Sequence, residues 1–206
     1  MIIQELKPSK RVQGRWLLVL EDGGILRVGE NEVIDFGLYT GKELSVDEAE
    51  ALQDAARRSG LKEKTIELLS RKPMSRRETE QKLRSWEAGE EETAAICDRM
   101  EELGFLDDRA YAERLVRHYS AKGCGVRKLK DELFRRGVPR EYWEQALLQA
   151  EDSGAAIDAF LAKKLGGSMP DRKELKKISD ALARRGFSWA EIDDGIRRYG
   201  LETEEY

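Results

Sequence analysis

The chain has 206 residues, and 38% of them are charged, against about 25% in an ordinary globular domain. Lys and Arg number 37 and Asp and Glu 41, so the net charge is −4, which argues against a simple DNA-binding domain, since such domains are usually basic. The longest apolar run, Trp16 to Leu20, is far below the ~20 residues that a membrane span needs, and Met1–Leu6 lacks the pattern of a secretory signal.

Two cysteines, Cys97 and Cys124, are too few for a disulfide scaffold, so a cytoplasmic setting is expected. With a single histidine, His118, and no CxxC pair, no zinc site is expected. The common phosphate-loop, dinucleotide, zinc-protease and nucleophile-elbow motifs are absent. A non-enzymatic protein without cofactor or metal follows as the expectation.

In chain order, Arg15–Leu20 and Ile25–Val28 read as two strands joined by the turn Glu21-Asp-Gly-Gly24, and Ile2–Leu6 can supply a third. A lone hairpin is marginal in water, so this unit needs three strands or a helix to pack on. From Ser45 onward the chain reads as helix. Ser45-Val-Asp-Glu48, Ser75-Arg-Arg-Glu78 and Ser188-Trp-Ala-Glu191 are capping boxes, and Asp171-Arg-Lys-Glu174 follows the same logic. Pro139 suits the first turn of a helix, and Gly60, Gly104, Gly123, Gly137, Gly166, Gly186 and Gly200 each follow an apolar-periodic stretch. These marks predict helices at 45–59, 61–71, 75–87, 90–103, 109–121, 126–136, 139–151, 154–165, 171–185 and 188–199.

The last nine of these helices group in threes. Glu80-Gln-Lys-Leu83, Lys130-Asp-Glu-Leu133 and Ser179-Asp-Ala-Leu182 lie 50 and 49 residues apart. The second and third continue alike, as Leu133-Phe-Arg-Arg-Gly137 and Leu182-Ala-Arg-Arg-Gly186; the first, ending at Gly89, reads as two residues longer. The expected architecture is mostly α, with tandem three-helix repeats in an elongated, curved array and a small N-terminal β-sheet cap. Its divisions are a β-rich extension at 1–44, a connecting helix at 45–60, and repeats at 61–106, 107–152 and 153–206. Three similar helical hairpins in one compact bundle are the alternative.

The net charge conceals sorting. Residues 87–108 hold 9 acids and 1 base, and residues 109–140 hold 10 bases and 3 acids. Residues 163–198 are again net basic, and Glu202, Glu204 and Glu205 close the chain. On helical wheels, Tyr111, Ala112, Leu115, Val116 and Tyr119 share one arc with Arg114 and Arg117 opposite; Val126, Leu129 and Leu133 face a core while Arg127, Lys128 and Arg135 face outward. With Lys122 between them, Arg114, Arg117, Lys122, Arg127, Lys128 and Arg135 form a candidate basic surface for phosphates or for acidic segments of a protein. Asp131 and Glu132, four residues after Arg127 and Lys128, offset part of it, and a merely solvated helix face is the competing reading. Trp86, Trp143, Trp189, Tyr142 and Phe187 could stack bases, but at helix ends such residues more often pack between units. Asp107-Asp108 and Asp193-Asp194 are paper candidates for a metal-dependent nuclease; Asp108 is already explained as a helix cap.

Leu103-Gly-Phe-Leu-Asp-Asp108, then Tyr111-Ala112, Gly123, Leu129-x-x-Glu-Leu133 and Arg136-Gly-Val138, resembles the RecX family of RecA regulators. Ser75-Arg-Arg-Glu-x-Glu-x-Lys-Leu83 resembles the first repeat of that family, and the likeness covers residues 60–200. The motif is structural first: Gly104 ends a helix, and Phe105 and Leu106 fold back as its apolar contact. The resemblance implies a protein that binds RecA–DNA filaments in their groove, inhibits RecA ATPase, strand exchange and co-protease activity, and can also contact single- or double-stranded DNA; a monomer is expected. General DNA binding through the basic surface of the second repeat is the alternative function.

Overall fold

The structure is a computed structural model that describes residues 1–10 and 12–200. The chain divides into two compact units: Met1–Lys72 with Lys82–Phe105, and Pro73–Gln81 with the residues from Leu106 on. The acidic positions Glu202, Glu204 and Glu205 lie outside the described residues, as does the end of the 153–206 span.

In the first unit, β1 (Ile3–Pro8), β2 (Arg15–Leu20) and β3 (Ile25–Gly29) form an antiparallel sheet in the order β1-β2-β3. The register Leu18↔Leu26 and Leu6↔Leu18 puts apolar residues of all three strands on one face. That face buries Ile3, Leu18, Leu20 and Val28 against Ala49, Leu52 and Ala56 of α2 (Val46–Arg71). So both conditions for a stable hairpin are met, a third strand and a helix. The 1–44 segment also holds a short helix, α1 (Glu30–Asp35), which strand reading missed. Its only local signal is Glu32, whose carboxylate accepts from the Gly29 N–H at 2.8 Å.

Two expected helices, 45–59 and 61–71, are one helix of 26 residues, and Gly60 does not stop it. A helical glycine costs about 1 kcal/mol relative to alanine. The buried stripe Leu52, Ala56, Leu61, Thr65 and Leu69 continues across it, and packing outweighs that cost. In α4 (Glu90–Glu102) the buried face is Thr93, Ile96, Cys97 and Met100, and α4 meets α2 through Arg57, which bonds Glu92 at 2.7 Å and the Glu87 carbonyl at 3.2 Å.

The second unit contains α5 (Asp108–Ser120), α6 (Val126–Arg135), a 3-10 turn at Arg140–Tyr142, α7 (Trp143–Leu147), α8 (Ser153–Leu165), α9 (Arg172–Arg184) and α10 (Trp189–Arg198). One core gathers Tyr111, Leu115, Leu129, Leu133, Val138 and Ala146; another gathers Ile157, Leu161, Leu182, Phe187, Ile192 and Ile196. The helix expected at 139–151 is shorter, ending at Leu147. The chain leaves helical geometry because Gln149 and Ala150 bond back three residues, and the Glu151 N–H donates to Ser120 Oγ at 2.7 Å.

The register of the repeat is exact in the backbone. Ala88, Val138 and Phe187 each donate an N–H to the carbonyl five residues back, Leu83, Leu133 and Leu182. The residue before each is left-handed: Glu87 at φ 64°, Gly137 at 70° and Gly186 at 94°. The next residue, Gly89, Pro139 or Ser188, is the cap of the following element. The first copy (in α3, Arg76–Arg84) is therefore not two residues longer; its left-handed position is Glu87 rather than Gly89. Asp107, not Asp108, caps α5, accepting from the Ala110 N–H at 2.8 Å. Leu106 is buried, whereas Phe105 keeps an exposed ring.

Candidate polyanion-binding surface

The six predicted cations sit on α5, α6 and the loop between them, and both helices bury their opposite faces in one core. Arg114 and Arg127 are exposed and have no carboxylate partner among the described residues. Arg117 lies 3.7 Å from Glu113, which also faces Arg109 at 3.8 Å. The Lys122 ammonium lies 5.5 Å from the Tyr119 ring centre. Lys128 and Arg135 are brought together by Glu132, expected to offset Lys128 four residues before it, whose side chain is only 3% exposed. Lys128 approaches it at 3.4 Å and Arg135 bonds its second oxygen.

Burial alone would raise the Glu132 carboxyl. Hydrogen bonds from Arg135, Tyr119 and Lys128 overcome that and hold it below the ordinary carboxylate value. Glu132 therefore remains an anion at neutral pH. It fixes two of the six cations, and Arg114, Lys122 and Arg127 keep the unneutralised charge.

A second network lies where α3 meets α6. Arg136 donates to Glu78 at 2.8 Å, and the Tyr111 hydroxyl donates to the other Glu78 oxygen at 2.9 Å. Burial, then the neighbouring Glu78 carboxylate, pushes the Tyr111 phenol up to about 12. Ser75 Oγ donates to the Arg136 carbonyl, and Asp108 accepts from the Arg76 N–H at 2.8 Å. Asp108 thus caps α3 rather than its own helix, a pairing that no local pattern discloses.

The α6–α9 contact repeats this plan one unit later. The Gly125 N–H donates to the Arg185 carbonyl at 2.9 Å and the Arg127 N–H to the Gly186 carbonyl at 3.1 Å. The Arg185 guanidinium reaches back to the carbonyls of Lys122 and Gly123 at 3.2 and 3.3 Å. Sequence reasoning missed an exposed cation that this geometry makes equivalent to Arg127, namely Arg77, at the second position of its helix fifty residues earlier, because charge counting over windows hides position on the helix.

Among the aromatics, Phe187 is buried, Trp143 donates its indole N–H to the Val138 carbonyl at 2.9 Å, and Trp86 lies under Lys64 at 4.0 Å. Trp189 departs from the packing expectation, with 55% of its surface exposed. His118 is exposed and edge-on to Tyr119, and Cys124 is half-buried in the α5–α6 loop. Three of the four carboxylates weighed for a nuclease are engaged in structure: Asp107 and Asp108 in caps, and Asp194 with Arg198 at 3.1 Å. Among the described residues no cluster of three or more His, Cys, Asp or Glu could hold a metal, and no helix is long and apolar enough to cross a membrane.

A small sheet on one long helix, followed by three-helix units joined through one recurring contact, defines a helical-repeat protein. Residues 107–147 match the family model described as RecX, second three-helix domain. A regulatory protein RecX of Pseudomonas entomophila is 33% identical over 125 residues, covering 60% of this chain and 81% of that protein. Another, from Pseudomonas putida, is 31% identical over 143 residues, covering 68% of this chain and 90% of the relative. The chain belongs to the RecX family of regulatory proteins. A crystal structure of a regulatory protein RecX has the same fold, with a TM-score of 0.72 and 23% identity, covering 96% of this chain and 98% of that one.

Proposed function

We propose that this chain is a non-enzymatic, monomeric regulator of RecA in the cytoplasm. It binds RecA on DNA, in the groove of the filament, and inhibits ATP hydrolysis, strand exchange and co-protease action. Family membership carries the reading. The structure supports it with a recurring helix contact suited to stacking repeats at 61–106, 107–152 and 153–206, and with charges sorted into an acidic α4 and a basic α5–α6. Arg114, Arg117, Lys122, Arg127, Lys128 and Arg135 are the proposed contact surface, with Arg114, Lys122 and Arg127 supplying its unneutralised charge.

The test is a titration of this protein into RecA on single-stranded DNA. ATPase activity should fall at ratios well below one regulator per RecA. Unchanged ATPase together with unchanged filament length would sink the reading. General DNA binding as the main activity predicts equal affinity for DNA without RecA, falling steeply with salt.

A further inference from the structure

The two edges of the N-terminal sheet differ. At β1 the backbone is covered: the Ile3 N–H donates to the Lys42 carbonyl at 2.9 Å, the Gly41 N–H to the Ile3 carbonyl at 2.8 Å, and the Leu6 N–H to Thr40 Oγ1 at 3.3 Å. At β3 it is open. The Leu20 N–H bonds the Gly24 carbonyl, and the β2–β3 register carries that parity to Leu18↔Leu26 and Trp16↔Val28. Alternate residues of an antiparallel pair bond their partner, so the N–H and C=O of Ile25 and Arg27 point away from β2. Nothing among the described residues takes these groups. The open row ends at Gly29, whose N–H donates to Glu32.

An uncovered edge is a template for another strand. β3 carries no proline to blunt it, and Ile25 is 66% exposed. Charge says which strand fits. The end of β3 borders a cleft of about 810 Å³ against α2. The acids of that cleft are neutralised within the chain, Glu63 by Arg15 and Glu67 by Arg71 at 2.6 Å. Arg27 and Lys64, also in its lining, have no carboxylate partner among the described residues; Lys64 lies over the Trp86 ring at 4.0 Å. Gly60 opens on the same cleft, where an added Cβ would meet nothing within 4 Å, so the wall of α2 is bare there. A second copy of the chain fits poorly: pairing β3 with itself sets Arg27 opposite Arg27 or Ile25 and leaves its charge unmet.

We propose that the β3 edge receives an extended, acidic segment of a protein partner, which adds as an antiparallel fourth strand with a carboxylate opposite Arg27. Main-chain bonds to Ile25 and Arg27 hold the segment, and the two unpaired cations select it. The site lies wholly in the first unit and uses none of the six candidate cations of α5 and α6. It goes beyond the regulatory reading and does not depend on it.

The test titrates the full chain with a fluorescein-labelled peptide of alternating valine and glutamate, read by anisotropy. Arg27→Glu should weaken binding about fivefold and favour a valine–lysine peptide instead. Arg27→Pro removes an N–H that the sheet does not use and should abolish binding of both peptides. Lys7→Glu, exposed on β1, should stay within about twofold of the parent. The residue opposite Arg27 presents its own N–H to β3, so N-methylation of the glutamate amides should abolish binding, and N-methylation of the valine amides should leave it within about threefold. Failure of the parent chain to bind the valine–glutamate peptide, equal affinity for the valine–lysine peptide, or equal losses from the two methylations overturns the proposal. Self-association of the parent chain in sedimentation that Arg27→Pro abolishes also overturns it, in favour of a second copy.

Discussion

The contacts of α3 with α6 and of α6 with α9 share one plan and differ in chemistry. In the first, Ser75 Oγ, the Arg77 stem and the Glu78–Tyr111–Arg136 network fill the space between helices. In the second, glycine faces glycine: a Cβ on Gly125 would lie 2.5 Å from the Gly186 carbonyl oxygen, and one on Gly186 would strike the Lys128 backbone. A polar, side-chain contact can adjust to change, because a flexible arginine stem moves. A backbone-on-backbone contact cannot, since neither main chain has room to retreat.

Alanine at the two left-handed glycines breaks this comparison most directly. Gly186→Ala combines left-handed strain with overpacking against backbone and should cost about 3–4 kcal/mol. Gly137→Ala meets the Arg77 side chain, whose stem can move but whose Cβ, 2.8 Å away, cannot without its backbone, and should cost about 2–3 kcal/mol. Urea titrations of both variants test this; equal losses would erase the distinction.

The polar contact has a pH signature that the glycine contact lacks. Tyr111 is raised in the folded state to about 12 from an ordinary 10.0, so its contribution is complete below pH 10 and is lost as pH rises toward 12. Tyr111→Phe should remove that alkaline loss in pH-dependent melts. Glu78→Gln should weaken the network at neutral pH by about 2 kcal/mol, through the charged hydrogen bond to Arg136. The Gly186→Ala variant should keep the alkaline dependence of the parent.

The smallest effect belongs to the third left-handed position. Glu87 holds φ 64°, where Gly137 and Gly186 hold the equivalent places in the other two copies. Glu87→Gly should raise stability by about 1 kcal/mol by relieving left-handed strain. A thermal melt no higher than that of the parent would show that the Glu87 side chain supplies an offsetting contact.

Local signals were legible wherever a residue's own side chain satisfies its own helix. The capping boxes at Ser45, Ser75, Asp171 and Ser188 form as read, because cap and partner are three residues apart. The strands and the leucine register at 83, 133 and 182 were visible for the same reason. Gly60 misled because helix propensity is weaker than a continuous buried stripe, and Gly89 misled because glutamate can occupy a left-handed place when the backbone bonds hold it. The basic surface was legible as charge but not as chemistry: on a wheel Glu132 looks like one more solvated acid, and its burial beneath Lys128 and Arg135 depends on the core beside it.

The sequence by itself determined the strands, most of the helix starts, the period of the repeat and the family likeness, since these rest on interactions between residues near in the chain. Tertiary structure alone decided that Asp108 caps α3, that Glu132 is buried beneath Lys128 and Arg135, and that the start of α6 meets the end of α9. Those outcomes depend on which helix end meets which, a contact between residues some tens of positions apart that only the packed cores bring within hydrogen-bonding reach.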